Sequence, residues 1–380
     1  MRIEIQGVPN FPRWFRKDWG RRAALPAGSV QEVIMGHVLQ AGAGLNTARQ
    51  VALMSGIPAT TPAYTVNKVC ASGMKAVALG ALSIASGESE IVVAGGMENM
   101  SAAAFLLPRA RWGYRLGDGV LLDCLLRDAL TDPTERCHMG ITAENLAREF
   151  NITRREQDEF AVESQRKAAD AIKAGKFEAE IVPVEIPARK GPCVSFRADE
   201  CPRPDTTVET LSTLKPAFKE DGSVTAGNAS GINDGAAAIA LVSAEEARRR
   251  EIRPMARIVS CASTALEPAR MGLGPVAATR AALGKAGLKL EQIEAVELNE
   301  AFAAQSLAVI RELGLDRRKV NVNGGAIALG HPVGASGARI LVSLLHIMAD
   351  RNLRLGLGTL CVGGGQGMAV ILERCPTDTQ

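Results

Sequence analysis

The feature that most constrains the fold of this chain is a pattern of turn, helix and strand that occurs twice. In its first copy, Cys70-Ala71-Ser72-Gly73 precedes a predicted helix and then the strand end Val92-Val93-Ala94-Gly95-Gly96. In its second copy, Gly334-Ala335-Ser336-Gly337 precedes a helix and then Leu360-Cys361-Val362-Gly363-Gly364. A single Ala-Ser-Gly string recurs easily by chance, whereas the ordered set does not. We therefore predict two duplicated halves whose helix N-termini face each other across a pseudo-dyad, so that Cys70 meets His331.

Strands and helices alternate in both halves, which predicts parallel strands in layered α/β sheets. Thr153 and Glu156 have the spacing of a capping box, and Pro275 and Gly287 bracket another helix. The alternation stops between about residues 101 and 224, and a stretch of this length is usually functional or a subdomain of its own. The predicted strands cover residues 32–39, 63–69, 90–94, 236–242, 255–263, 295–298, 320–323, 359–362 and 368–373. The predicted domains are 1–100 plus 226–254, an inserted subdomain at 101–225, and 255–380.

The first 29 residues show no clear period. Three prolines interrupt them, and basic residues crowd the segment from Arg13 to Arg22. We expect at most Arg2–Ile5 to form a strand and Gly7–Pro26 to pack poorly, with early proteolytic cleavage between Arg13 and Arg22.

Composition excludes several classes of protein. A net charge of +3 over 380 residues, without a basic stripe, argues against nucleic acid as a partner. The eight cysteines form no CxxC pair and have no metal-ligand spacing beside the four histidines, which favours reduced thiols in the cytoplasm. No uncharged apolar run approaches the roughly 18 residues that a membrane span needs.

Cys70 lies where a predicted strand turns into a helix N-terminus. The free backbone N–H groups and the positive end of the helix dipole favour a thiolate there, so Cys70 is a candidate nucleophile. A buried structural cysteine is the alternative interpretation.

Three further residues lie in glycine-rich or junction positions. His331 follows a loop that lets backbone approach backbone, and it is a candidate general base. Cys361 precedes Gly363, Gly364 and Gly365, whose N–H groups could bind an oxyanion. Asn299 lies at a strand-to-helix junction, where it could also be a simple N-cap.

Four motifs occur in this order: Asn67-x-x-Cys70-x-Ser-Gly, Asn299-Glu-Ala-Phe-Ala, Gly330-His331-Pro-x-Gly-x-Ser-Gly and Cys361-x-Gly-Gly-Gly. Together they resemble the thiolase family, and the resemblance covers about residues 30 to 373. It implies duplicated α/β domains in five layers, α-β-α-β-α, with an inserted loop subdomain. The strings from His138 to Asn145 and from Val224 to Gly231 resemble the short-chain, acetoacetyl-CoA branch.

The resemblance implies an acetyl-CoA C-acetyltransferase. Cys70 would carry the acyl group, His331 would accept its proton, and Cys361 would deprotonate the second acetyl-CoA. One oxyanion site would be the N–H groups of Cys70 and Gly363; the other would be His331 with a water held by Asn299. No cofactor or metal is implied, since coenzyme A is substrate and product. The implied substrate-binding residues are Leu130, His138, Met139, Arg203, Ala217, Phe218, Ser230, Met271, Ala301 and Phe302.

The family resemblance also implies acetyl-CoA, acetoacetyl-CoA and CoA as partners, a homotetramer built as a dimer of dimers, and no membrane. Three alternatives stay open: a 3-ketoacyl-CoA thiolase of broader chain length, a decarboxylating ketosynthase, and a non-catalytic CoA- or lipid-binding protein. One departure is visible. The family's first strand, which we expect at the centre of the N-terminal sheet, and its first helix match nothing in residues 1–29.

Overall fold

The computed structural model describes residues 25–188 and 192–375. The predicted strand at Arg2–Ile5 and the predicted cleavage between Arg13 and Arg22 lie outside the described residues. Leu25, which falls in the segment expected to pack poorly, is buried against the first half's core.

The first half is built on a four-stranded sheet. Strands β1 (Glu32–Gly36), β2 (Ala63–Val66) and β3 (Ile91–Asn99) are parallel, and β10 (Asp234–Val242) runs antiparallel to β3. The order across the sheet is β10-β3-β1-β2. The two faces of β1 alternate: Val33 and Met35 enter the outer core, whereas Ile34 enters the central one, as the two-residue period of a strand requires.

The second half repeats this plan. Its sheet has the order β11-β14-β13-β12, formed by β11 (Ala256–Ala265), β12 (Ala295–Leu298), β13 (Leu355–Val362) and β14 (Gln366–Arg374). Strands β12 and β13 are parallel, and β14 is antiparallel to both of its neighbours.

Helices complete the five layers. Two helices, α2 and α10, pack against each other between the sheets, α1 covers the outer side of the first sheet, and α7 covers that of the second. The predicted duplicated five-layer fold is thus confirmed. The helices of both halves are α1 (Thr47–Met54), α2 (Ser72–Ala85), α6 (Ala244–Arg249), α7 (Gly274–Ala286), α8 (Ala303–Leu313), α9 (Ala326–Leu329) and α10 (Val333–Asp350).

The segment between β3 and β10 carries the remaining elements. Its two long helices, α3 (Met139–Glu149) and α4 (Arg154–Lys173), contact α8 in the second half. The segment also contains the short helix α5 (Val208–Ser212) and the short strands β4 (Phe105–Leu106), β5 (Leu122–Asp123), β6 (Thr131–Asp132), β7 (Cys137–His138), β8 (Val184–Ile186) and β9 (Val194–Phe196).

Local signals in the sequence account for several helix ends. The Thr153 hydroxyl accepts from the backbone of Glu156 while the Glu156 carboxylate accepts from the Thr153 N–H, which is the predicted capping box. Pro275 lies in the first turn of α7, and Gly287 ends that helix in a left-handed conformation at φ 64°.

The strand predicted at residues 320–323 is wrong. Only an isolated bridge joins Val320 to Val296, because Asn321 turns the chain at φ 45°. The Asn321 side chain then takes over the role of a neighbouring strand: its Oδ1 accepts from the Leu298 N–H at 2.8 Å, and its Nδ2 donates to the Leu298 carbonyl at 2.8 Å.

The two sheets differ at one edge. In the second half β11 pairs with β14, whereas among the described residues no strand pairs with the outer edge of β10. We expected the family's missing strand at the centre of the first sheet. The structure corrects this, because the central strands β1 and β3 pair directly with each other.

Helix α10 is long and apolar enough to cross a membrane by length and composition alone. It lies with α2 between the two sheets, and 67% of it is buried inside the protein. A helix in a protein core can meet the same criteria of length and apolar composition.

Candidate active site

Cys70 lies on a tight turn between β2 and α2. The residue before it, Val69, has φ 47°, a left-handed conformation that a β-branched side chain rarely adopts. Ser72 stabilises the turn: its Oγ accepts from the Lys68 N–H at 2.8 Å and donates to the Val69 carbonyl at 2.6 Å. The thiol is thereby held, half-buried, at the N-terminus of α2.

The Cys70 sulfur faces backbone N–H groups from both halves, its own and that of Gly363. These are the two groups that we predicted as one oxyanion site. Burial nevertheless raises the pKa of the Cys70 thiol to about 11, with a smaller contribution from the Glu98 carboxylate. The N–H groups lower the pKa of Cys70 as expected, but desolvation outweighs them, so the thiol is neutral in the free protein.

His331 precedes α10 and is held by hydrogen bonds on its backbone and its ring. Its N–H donates to Asn233 Oδ1 at 2.8 Å, and its Nδ1 lies 2.5 Å from Ser336 Oγ. We assign the ring proton to Nδ1, because the Ser336 hydroxyl can then accept from Nδ1 and donate to the Pro332 carbonyl at 2.9 Å. The lone pair is thus on Nε2.

The second ring nitrogen of His331 faces Asn299. Asn299 Nδ2 lies 3.4 Å from His331 Nε2, and both residues are buried. Burial and, to a smaller extent, the Arg339 guanidinium lower the pKa of His331 to about 4. His331 is therefore neutral at physiological pH and carries an available base at Nε2.

Asn299 follows the last residue of β12, and its backbone N–H donates to the Thr359 carbonyl at 3.0 Å. Its Oδ1 is buried and has no hydrogen-bond partner among the described residues. A buried amide oxygen of this kind can accept a hydrogen bond from a water or a substrate, which fits the predicted water site.

The neighbouring Glu300 fixes this junction. Its buried carboxylate accepts from Asn321 Nδ2 at 2.7 Å, from Ser164 Oγ at 2.7 Å and from the Ile327 N–H at 3.1 Å. The Asn299 loop, the glycine-rich loop and α4 are thereby joined at one carboxylate.

Cys361 is fully buried near the end of β13. Burial raises the pKa of its thiol, and the nearby Cys70 raises it further, so Cys361 is a neutral thiol in the free protein. It belongs to one apolar cluster with five of the predicted substrate-binding residues, which are Met139, Phe218, Met271, Ala301 and Phe302.

The remaining predicted substrate-binding residues take different places. The His138 ring stacks on Phe218 with 4.5 Å between ring centroids, and Ser230 bonds the Ala301 carbonyl through its N–H and Oγ, each at 3.1 Å. Leu130 packs against a separate cluster, against which Cys70 also packs. The structure leaves Arg203 and Ala217 exposed and does not bring them into the Cys361 cluster.

Sequence reasoning missed three residues that hold the site: Asn233, Ser336 and Glu98. Ser336 had a visible signal, since it occupies the place in the second repeat that Ser72 occupies in the first, and both serines bond the turn before their helix. Asn233 and Glu98 had none, because their partners in the fold are 98 and 236 residues away.

Comparison with known proteins places this geometry in a family. A family model described as "Thiolase, N-terminal domain" matches residues 17–245, and one described as "Thiolase, C-terminal domain" matches residues 252–374.

Similar proteins carry related names. An acetyl-CoA acetyltransferase of Pseudomonas aeruginosa is 58% identical over 353 residues, which cover 93% of this chain and 90% of that protein. The crystal structure of the Bacillus anthracis acetyl-CoA acetyltransferase matches with a TM-score of 0.94 and 46% identity, covering 98% of this chain and 94% of that one. The crystal structure of human mitochondrial 3-ketoacyl-CoA thiolase matches with a TM-score of 0.94 and 43% identity over the same shares.

Proposed function

This chain belongs to the thiolase family, and we propose from that premise that it is an acetyl-CoA C-acetyltransferase. The reaction joins two acetyl-CoA molecules into acetoacetyl-CoA and releases CoA through an acyl-enzyme on Cys70. One observation supports this most strongly: the Cys70 sulfur faces the N–H of Gly363, two residues after the fully buried thiol of Cys361.

The first half-reaction needs a base, because the Cys70 thiol is neutral. His331 Nε2 takes the proton as Cys70 sulfur attacks the thioester carbonyl, and the N–H groups of Cys70 and Gly363 receive the developing oxyanion. The departing CoA sulfur takes the proton of Cys361. This leaves acetyl-Cys70, a Cys361 thiolate and a protonated His331, so protons balance.

The second half-reaction uses the charges that the first one creates. The Cys361 thiolate removes a proton from the methyl group of a second acetyl-CoA, and protonated His331 with a water on Asn299 stabilises the enolate oxygen. The carbanion attacks the acetyl carbon, the Cys70 sulfur leaves, and His331 returns its proton to Cys70. A thiol pKa raised by burial suits Cys361, because its thiolate is then a strong base.

Cleavage of acetoacetyl-CoA with CoA as the acceptor tests the proposal, because the same site catalyses both directions. We expect the purified chain to consume acetoacetyl-CoA and form two acetyl-CoA, and Cys193→Ser, at an exposed cysteine, to retain that rate. A wild-type protein that is folded yet inactive toward acetoacetyl-CoA would contradict the assignment.

A broader chain-length range is the second candidate function, supported by the equal TM-score of the human 3-ketoacyl-CoA thiolase. Met139, Met271 and Phe302 are each less than a tenth exposed and pack around Cys361, which favours a short acyl group. We expect thiolysis rates to fall steeply beyond four carbons in a 3-ketoacyl-CoA series. A flat series up to long chains would favour the second candidate.

The proposal includes a homotetramer in the cytoplasm. Eight free cysteines suit a reducing compartment. In the loop between β4 and β5, Trp112 and Leu116 are 89% and 98% exposed, an apolar surface of the kind that protein contacts cover. Sedimentation of the wild type should give a tetramer that Trp112→Ser with Leu116→Ser weakens; a concentration-independent monomer would contradict this.

A further inference from the structure

Glu98 is a buried carboxylate at the contact between the two halves. It lies near the end of β3, is 3% exposed, and accepts three backbone hydrogen bonds. Two donors come from its own half, the Val38 N–H at 3.1 Å and the Leu39 N–H at 3.2 Å, and His37 Nε2 of the same half lies 3.2 Å from the carboxylate. The third donor is the N–H of Gly334 in the other half, at 2.9 Å.

The bond to Gly334 places a carboxylate at the N-terminus of α10. Pro332, the residue before this helix, supplies no side-chain acceptor to the free N–H groups of the first turn. Glu98 supplies one from the other half, and its charge faces the positive end of an 18-residue helix. The approach is close: a Cβ built on Gly334 would lie 2.8 Å from Glu98 Oε2.

The first turn of α10 also holds the candidate base. Ser336 lies in this turn and bonds His331 Nδ1, so a shift of the turn moves the ring that must face the substrate and Cys70. The loop that donates to Glu98 also lies near the nucleophile, since Cys70 packs against the cluster that contains Val38 and Leu39.

We propose that Glu98 is a positioning residue that holds the His331-bearing end of α10 against the half that carries Cys70. The inference rests on the proposed function for its kinetic readout. In this proposal Glu98 does not contact the substrate.

The charge of Glu98 gives the proposal a second, independent readout. It is a charged side chain that helps to raise the pKa of Cys70, although burial contributes more. Other titratable groups at this place are His37, which lies 3.2 Å from Glu98, Cys361, which interacts with Cys70, and His331, the candidate base.

The variant Glu98→Gln keeps the shape and removes the charge. Because an amide has one acceptor oxygen in place of two, its NH2 group must face at least one of the three backbone N–H donors. We expect kcat for acetoacetyl-CoA cleavage to fall roughly 10- to 100-fold, as for other small misplacements of catalytic groups, with KM within about threefold of wild type.

Alkylation of Cys70 by iodoacetamide as a function of pH, read on the Cys70 peptide by mass spectrometry, should shift to a lower midpoint in Glu98→Gln. The matched control is Glu246→Gln, at a buried carboxylate on α6 that pairs with Arg249 and Arg250, and it should keep the wild-type kcat and midpoint.

The proposal is overturned if Glu98→Gln keeps the wild-type kcat and alkylation profile. It is also overturned if kcat falls only in proportion to the folded fraction, measured by circular dichroism, with an unchanged alkylation midpoint. A wild-type protein without cleavage activity would refute the proposed function, while the alkylation midpoint would still test Glu98.

Discussion

Ser336 determines which nitrogen of His331 carries the proton. Its hydroxyl can donate to the Pro332 carbonyl and accept from Nδ1 of His331, which leaves Nε2 as the base beside Asn299. His331, with a pKa lowered to about 4, is neutral at physiological pH. Because its proton is on Nδ1, Nε2 can accept the Cys70 proton without first losing one.

We expect Ser336→Ala to lower kcat roughly 10- to 100-fold, because the imidazole can then rotate or adopt the other tautomer. Ser343→Ala is the matched control, since it removes a buried hydroxyl from the same helix at a place where it bonds Glu180. Steady-state cleavage of acetoacetyl-CoA measures both. Equal rates for the two variants would mean that Ser336 does not orient His331.

Cys361→Ala should separate the half-reactions. Without Cys361, protonated His331 can pass the proton taken from Cys70 to the departing CoA sulfur, so acyl transfer continues. Formation of the carbon–carbon bond still needs the second thiol as base. Exchange of labelled CoA with acetyl-CoA should persist in this variant, while condensation falls by on the order of 10²–10⁴-fold. Cys261→Ala, at a partly buried cysteine of β11, serves as the control. Equal loss of exchange and condensation would show that Cys361 has a structural role.

At the scale of elements, a buried carboxyl group of β12 faces an arginine of α10. Glu297 on β12 lies 3.6 Å from Arg339 on α10, and burial raises the pKa of its carboxyl to about 8 despite that pair. The folded protein thus binds a proton that the unfolded chain releases above pH about 4.5. The stability that this group contributes is complete below that pH and is lost as pH rises through about 8.

Glu297→Gln should remove this loss. Between pH 6.5 and 8 the wild type is expected to lose about 2 kcal/mol of unfolding free energy through Glu297, whereas the neutral amide should lose none of it. The window starts at pH 6.5 because the lowered pKa of His331 has the opposite effect only below that value. Urea unfolding at several pH values measures this, with the exposed Glu245→Gln as control. Parallel pH curves for wild type and Glu297→Gln would contradict it.

Some elements could be predicted from interactions between residues close in sequence, and others could not. The capping box at Thr153 and the proline and glycine that bracket α7 are readable because their partners lie within a few residues. The turn at Asn321 is not, because its side chain bonds Leu298, 23 residues away. The same holds for the site: motif spacing brought Cys70, His331, Cys361 and Asn299 to attention, whereas the charge state of Cys70 depends on burial that only the folded chain reveals.

At the scale of the whole molecule, the duplicated halves contribute unequally to one site. The first half supplies Cys70 and the groups that hold the other side in place, Glu98 and Asn233. The second half supplies the base, the second thiol and the Gly363 N–H. Neither half alone holds both the nucleophile and its base, so the contact between α2 and α10 is a condition of catalysis.

The outer edge of β10 is the other whole-molecule feature. Six of the nine residues of its counterpart β14 are buried, whereas the residues of β10 are partly buried or exposed. Within the described part of the chain, the second half covers the corresponding edge of β14 with β11 and α7, and the first half has no equivalent elements. Of the four candidate catalytic residues, Cys70, Asn299 and Cys361 lie near the ends of β2, β12 and β13, and His331 bonds Asn233, the residue before β10.

The acyl-enzyme is the central claim, and mass spectrometry after incubation with acetyl-CoA tests it most directly. Trypsin cleaves after Lys68 and Lys75, which isolates Cys70 on residues 69–75, apart from every other cysteine. We predict an acetyl adduct on that peptide, retained in Cys361→Ala and absent from Cys70→Ala. An adduct found solely on another residue, an adduct of equal yield in Cys70→Ala, or no adduct on the folded wild type would contradict the account.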